Sequence, residues 1–173
     1  MIEPTKRFDL TVHIDYFQVN IFDPASGFTP GTDAVLAGMD RAHESNAFVE
    51  SIGGLIILIS PVQNNFNAPM AVEQWNQEPP NDQNSWDHVV DVDLDCPSGQ
   101  LLFQESGSSY GGPEDCVSVQ IDPGVYRVRV AGRGYAAHGL RAISVGADSY
   151  RLQLWPRSVN SASTVRKAWP GWQ

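Results

Sequence analysis

The sequence predicts a mainly β fold, an antiparallel β-sandwich of about eight or nine strands with one short helix near residues 33–42. Three observations lead there. Apolar residues recur at period two in one run after another. The 15 glycines and 12 prolines punctuate those runs with turn chemistry, and only one segment reads as a helix. At 173 residues the chain suits a single self-sufficient core. We read residues 1–155 as one domain and 156–173 as a basic, Trp-containing C-terminal tail.

The first strand carries Phe8, Leu10, Val12, Ile14 and Tyr16 on one parity. Phe17, Val19 and Ile21 continue on the other, so a bulge or bend is expected near Tyr16–Phe17. Residues Ser26 to Gly31 are loop chemistry, and Thr32 caps a helix from Asp33 to Ala42 with Arg41 near its end. Strands follow at Phe48–Ile52, Leu55–Ser60, Met70–Trp75, Trp86–Asp95, Leu101–Glu105, Val117–Ile121, Val125–Val130 and Tyr150–Trp155. Gln63–Asn67 and Gln77–Ser85 read as Asn/Gln/Pro-rich loops. Asp122-Pro123-Gly124 sits between two alternating runs and predicts a hairpin. The tail, closed by Trp169-Pro170-Gly171-Trp172, either folds back on the domain or stays free.

Charge is distributed unevenly. Between Arg41 and Arg127 there is no lysine or arginine, while 13 Asp and Glu residues fall in that block; the whole chain carries −9. Such a block disfavours nucleic acid and membrane surfaces and attracts basic ones. No apolar run approaches the roughly 20 residues that span a bilayer, and the N-terminus shows no signal-peptide core, so a cytoplasmic protein is expected. Cys96 and Cys116 are either a cross-strand disulfide or two independent small core residues.

The densest chemistry is Trp86-Asp87-His88-Val89-Val90-Asp91-Val92-Asp93-Leu94-Asp95. On a strand, Asp87, Val89, Asp91, Asp93 and Asp95 face one way, and Trp86, His88, Val90, Val92 and Leu94 the other. Same-face neighbours lie about 6.5–7 Å apart, so the carboxylates form a self-repelling ladder. Arg127, Arg129 or Arg151 from a neighbouring strand, calcium, or a partner's basic residues can each neutralise it. An EF-hand loop counted from Asp91 would put Cys96 and Leu102 where glycine and glutamate are required, so that motif fails. No nucleophile elbow, Walker loop or His-Glu-x-x-His is present. His88 reads as a satisfied core histidine, and a carboxylate pair from Glu73 and Asp91 has no spacing that sequence fixes. No cofactor or metal is expected.

The stretch His13-Ile14-Asp15-Tyr16-Phe17-Gln18-Val19, then Asp23 and a helix carrying Gly38, resembles the opening of the competence protein J family. So do Pro123-Gly124-Val125-Tyr126 and the closing Asp148-Ser149-Tyr150-Arg151-Leu152-Gln153-Leu154-Trp155. The resemblance implies a non-catalytic bacterial protein that inhibits a DNA-entry nuclease. It agrees with the charge: an acidic protein can occupy the basic rim a nuclease needs to hold a polyanion. The expected partner is therefore a basic protein, a nuclease or toxin. The expected contact surface is Glu73, Trp75, Glu78, Asp82, Asp87, Asp91, Asp93 and Asp95, with Trp75 as aromatic anchor. The runner-up is a ligand- or carbohydrate-binding β-sandwich module, with or without a metal, and a small hydrolase comes third.

Overall fold

The computed structural model describes residues 2–27, 33–61, 66–105, 111–135 and 148–171. In chain order these form β1 (Lys6–Ile14), β2 (Gln18–Phe22), α1 (Asp33–Glu44), β3 (Val49–Ile52), β4 (Leu55–Ile59), β5 (Phe66–Gln74) and β6 (His88–Cys96). Then come β7 (Gln100–Glu105), β8 (Val117–Gln120), β9 (Gly124–Arg133), β10 (Ser149–Pro156) and β11 (Thr164–Lys167). Two sheets result, one ordered β1-β5-β10-β9-β6-β11 and the other β3-β4-β2-β7-β8. The period-two pattern explains why they face each other. Ile14, Val72, Val92, Leu94, Val128 and Leu152 of the larger sheet meet Val19, Ile21, Ile56, Leu58, Leu101 and Phe103 of the smaller in one buried cluster. Each such side chain contributes about 1.5–3 kcal/mol through burial.

Eleven strands are seen among the described residues where eight or nine were expected, and β5–β10 is a parallel pair in an otherwise antiparallel arrangement. The extra strands have identifiable origins. The parity change after Ile14 is not a bulge within one strand. Asp15 and Gln18 form an antiparallel bridge around Tyr16 and Phe17, both at positive φ (46° and 58°), and the turn sends β2 into the other sheet. That is the backbone of a type I′ turn, normally filled by Asn and Gly. The tail supplies β11, which lies antiparallel to β6 with a register shift between Val165 and Lys167.

Asp122-Pro123-Gly124 does not close a hairpin. β8 pairs with β7 in the smaller sheet, whereas β9 pairs with β6 and β10 in the larger, so this turn crosses between sheets. The corner is pinned by polar contacts: Gln74 Nε2 donates to Asp122 Oδ2 (2.6 Å), Asp122 N donates to Gln74 Oε1 (3.0 Å), and Lys6 Nζ donates to Asp122 Oδ1 (2.8 Å).

The helix lies where the sequence puts it, extended to Glu44, with Thr32 outside the described residues. It covers the outer face of β3 and β4, where Val35 and Ala42 pack with Leu55, Ile57 and Ile59. Gly38 permits that approach, because a Cβ there would meet Ile57 Cδ1 at 2.7 Å and Ile52 Cδ1 at 2.9 Å. Both cysteines are free thiols: Cys96 sits in the main core and Cys116 against the helix-side cluster.

Candidate functional site

The aspartate ladder is positioned by β6 and answered by β9. Strand register sets Asp91 opposite Arg129 and Asp93 opposite Arg127. Arg129 donates from Nε to Asp91 Oδ1 (3.0 Å) and from Nη2 to Asp91 Oδ2 (3.3 Å) and Glu78 Oε1 (2.8 Å). Arg166 of β11 adds a bond from Nε to Asp91 Oδ2 (2.8 Å), leaving Asp91 0% exposed. Asp93 accepts from Arg127 (2.8 Å), from the Ser161 N–H (2.8 Å) and from Arg157, which also reaches Asp95. Burial pushes the Asp93 carboxyl up, but these donors outweigh it and hold it below the usual carboxylate range. The ladder is thus neutralised from within.

The remaining sequence-predicted residues lie along the same outer face. Glu73 is buried and accepts from Arg7 (2.6 Å), Gln153 (2.9 Å) and the indole N–H of Trp75 (3.2 Å). Trp75 is itself buried, so its ring presents no exposed anchor. Asp82 accepts from Arg151 (2.6 Å); burial raises its carboxyl, but the hydrogen bond and charge of Arg151, with Trp86 and the backbone, together outweigh it and leave it lowered. Asp87 caps the backbone N–H groups of Gly134 (2.7 Å) and Tyr135 (3.1 Å). Only Glu78, Asp82 and Asp95 keep substantial exposure, at 55%, 39% and 45% of the side chain. Trp86 precedes the strand, so strand parity does not govern it; it packs with Val89 and Ala131 on the outer face instead. His88 is a satisfied core histidine, with Nε2 to Ala47 O (2.6 Å) and Nδ1 accepting from Trp169 N (3.0 Å).

Sequence reasoning named Arg127 and Arg129 as partners of the ladder and missed Arg157 and Arg166. Those two lie in the tail, where no periodicity marks the strand they will border. Arg151, also named for the ladder, serves Asp82 instead.

Charge bookkeeping by surface gives a different picture from charge by segment. Nine Lys and Arg side chains lie on the described strands of the larger sheet and the segments beside them: Lys6, Arg7, Arg127, Arg129, Arg133, Arg151, Arg157, Arg166 and Lys167. They face nine carboxylates: Asp9, Asp122, Glu73, Glu78, Asp82, Asp87, Asp91, Asp93 and Asp95. These eighteen charges cancel, and the net −9 falls on the remaining residues, which include Glu3 before β1 and the buried Asp23 and Asp148 as well as the carboxylates of the helix side. There Asp33, Asp40 and Glu44 lie exposed on α1, and Glu114 and Asp115 on the short 3-10 turn Pro113–Asp115 before β8. Cys116, next to that turn, packs into the same cluster as Val35 of α1, which puts both groups on the outer side of the smaller sheet. Within this rim stand two exposed apolar side chains, Leu36 (54%) on α1 and Tyr16 (67%) at the β1–β2 turn, where Phe17 packs edge-on against His43 of the helix (5.1 Å). Exposed apolar groups ringed by charge are the usual anatomy of a protein contact.

No protein-family model and no curated protein sequence matches the chain. Two solved structures share its fold. One is ComJ from Bacillus subtilis, an inhibitor of the DNA-degrading activity of NucA, with a TM-score of 0.57 and 18% identity over 91% of this chain and 99% of that one. The other is described as crocagin biosynthetic gene J, with a TM-score of 0.58 and 16% identity over 87% and 97%. The chain therefore has the fold of the competence protein J structure, the family its opening and closing motifs resemble.

Proposed function

We propose that this protein is a non-catalytic binding protein of inhibitor or immunity type that blocks a basic enzyme such as a nuclease. It docks through the outer side of the five-stranded sheet. The observation that carries the reading is the segregation of charge: nine cations and nine carboxylates of the larger sheet cancel, while Asp33, Asp40, Glu44, Glu114 and Asp115 lie exposed on the helix side. The lysine-free block still contributes, through Glu44, Glu114 and Asp115 more than through the ladder, whose carboxylates are clasped by arginines. Unpaired surface carboxylates steer a basic partner and raise association rates by about 10- to 1000-fold at low salt. The fold shared with an inhibitor of a DNA-degrading enzyme supports the choice of target class. Glu73 and Asp91, the pair a hydrolase would need, are both buried and ion-paired.

The test is retention of basic proteins on the immobilised chain at low salt, followed by DNA-degradation assays of each retained enzyme with and without the protein. Inhibition that weakens steeply with salt is expected. The double charge reversal Asp40→Lys with Glu44→Lys slows association at least tenfold, while Glu78→Lys has a small effect. Retention of no basic enzyme, or equal effects of the two sets of reversals, overturns the proposal.

A further inference from the structure

A second site lies on the opposite side of the molecule. Cross-strand register aligns Asp9 of β1, Ala71 of β5 and Arg151 of β10 in one outward-facing row. Alanine in the middle of two long side chains leaves a gap. The result is a pocket of about 370 Å³, open to solvent, bounded also by Arg7, Arg133 and Trp86. That size falls within the range of small-molecule sites.

The polar groups around it are not all spent. Arg7 is held by Asp9 (2.9 Å) and Glu73 (2.6 Å), and Arg151 by Asp82 (2.6 Å). Among the described residues Arg133 has no carboxylate partner, and its one hydrogen bond there runs from Nε to Ser149 Oγ (3.0 Å), which leaves both terminal amino groups in the fork geometry that carboxylates fit. The guanidinium carbons of Arg133 and Arg151 lie 4.9 and 4.7 Å from the Trp86 ring centroid, which holds both over the indole. Trp86 is 8% exposed, and its indole N–H, shielded from solvent, is directed at Asp82, whose carboxyl it helps to lower. The ring forms a wall of the pocket beneath the two guanidinium groups.

We propose that this pocket binds the carboxylate of a small organic monoanion, received by the guanidinium of Arg133 that lies over the Trp86 ring. A single charge is specified because, of the three guanidinium groups, Arg133 alone lacks a carboxylate partner among the described residues. The site is independent of the helix-side surface, so its failure leaves the inhibitor reading standing, and the converse holds.

The probe is benzoate, with neutral benzamide as its isostere and inorganic phosphate as a competing anion. The readout is the Trp86 indole resonance in proton–nitrogen spectra of the full chain, assigned by loss of the peak in Trp86→Phe. Benzoate is expected to shift that resonance saturably and benzamide not to. Arg133→Gln, an exposed substitution, weakens binding about tenfold or more through loss of a charge-assisted fork. Ala71→Leu fills the gap and abolishes binding with every charge retained. Equal binding of benzamide, tighter binding of phosphate than of benzoate, no saturable shift, or unchanged benzoate binding in Arg133→Gln overturns the proposal.

Discussion

Replacing Asp91 by alanine tests the account of the ladder most directly. Asp91 is 0% exposed, and the Arg129 side chain it clasps is 4% exposed. Removing the carboxylate leaves Arg129 buried with one remaining ionic partner, Glu78, which is 55% exposed and screened. Breaking a buried pair from one side costs about 3–5 kcal/mol, because the surviving charge stays desolvated. For a chain of this length that is a fall of about 6–20 °C in melting temperature. The double replacement Asp91→Val with Arg129→Leu removes both charges and adds apolar surface beside Trp155, over whose ring Arg129 now lies at 5.2 Å. It should recover most of the loss, since apolar substitutes for buried pairs are often neutral or stabilising. Arg166→Ala, at a side chain 41% exposed, should cost no more than about 1 kcal/mol. Urea unfolding with a constant m-value measures all three. A loss below about 1 kcal/mol for Asp91→Ala, or a double variant as unstable as the single, refutes the reasoning.

Three further outcomes are expected. Burial lowers the His88 pKa from 6.5, although the Ala47 carbonyl opposes this, so the native state takes up fewer protons than the unfolded state as pH falls through 6.5. Stability present above that pH is then lost at up to about 1.4 kcal/mol per unit, down to the lowered native value. Urea midpoints of wild type and His88→Gln should converge between pH 7.5 and 5.5, and a constant gap would contradict this. Tyr16→Asn places a residue tolerant of left-handed backbone at φ 46° and should stabilise by about 0.5–1 kcal/mol, read as a raised urea midpoint; a lowered one counts against strain at the turn. Trp169→Ala removes ring contacts to Tyr135 (5.4 Å) and Phe48 (6.0 Å) and should cost about 2 kcal/mol, with faster amide exchange along β6; unchanged exchange would mean that the tail does not guard that edge.

The strands were legible because the physics that makes them is local. Alternation over Phe8 to Ile14, and over Val90 to Leu94, names the buried face whatever the strand pairs with. Pairing itself was less legible. Asp122-Pro123-Gly124 has turn chemistry either way, and only the partners of β8 and β9 decide that it crosses between sheets. The same limit hid the tail: Thr164–Lys167 is short and polar and becomes a strand because the edge of β6 accepts it and Arg166 meets Asp91 there. At Tyr16–Phe17 the chain bends where expected, but as a tight turn between two strands and not a bulge within one, and this was missed for another reason. Two aromatic residues at positive φ contradict turn propensity, and tertiary packing of Phe17 on His43 holds them there.

The acidic block shows why charge along a chain and charge on a surface must be kept apart. The lysine-free half and the arginine-rich C-terminal part are far apart in sequence, yet β6 lies between β9 and β11 and cancels against both. What the cancellation leaves is an electrically one-sided molecule: a balanced face that is held together by its charges, and a helix side whose carboxylates have few cations to meet. Such an arrangement orients a basic partner as well as attracting it, because approach from the balanced side gains nothing. It also separates the two halves of an affinity. Exposed rim carboxylates act at a distance of about 10 Å at 0.1 M salt and about 3 Å at 1 M, so salt should slow association. Leu36 and Tyr16 act only on contact, so dissociation should change little over the same range. A partner whose dissociation rate rose with salt as steeply as its association rate fell would be held by charge alone, and the apolar pair would have no part in binding.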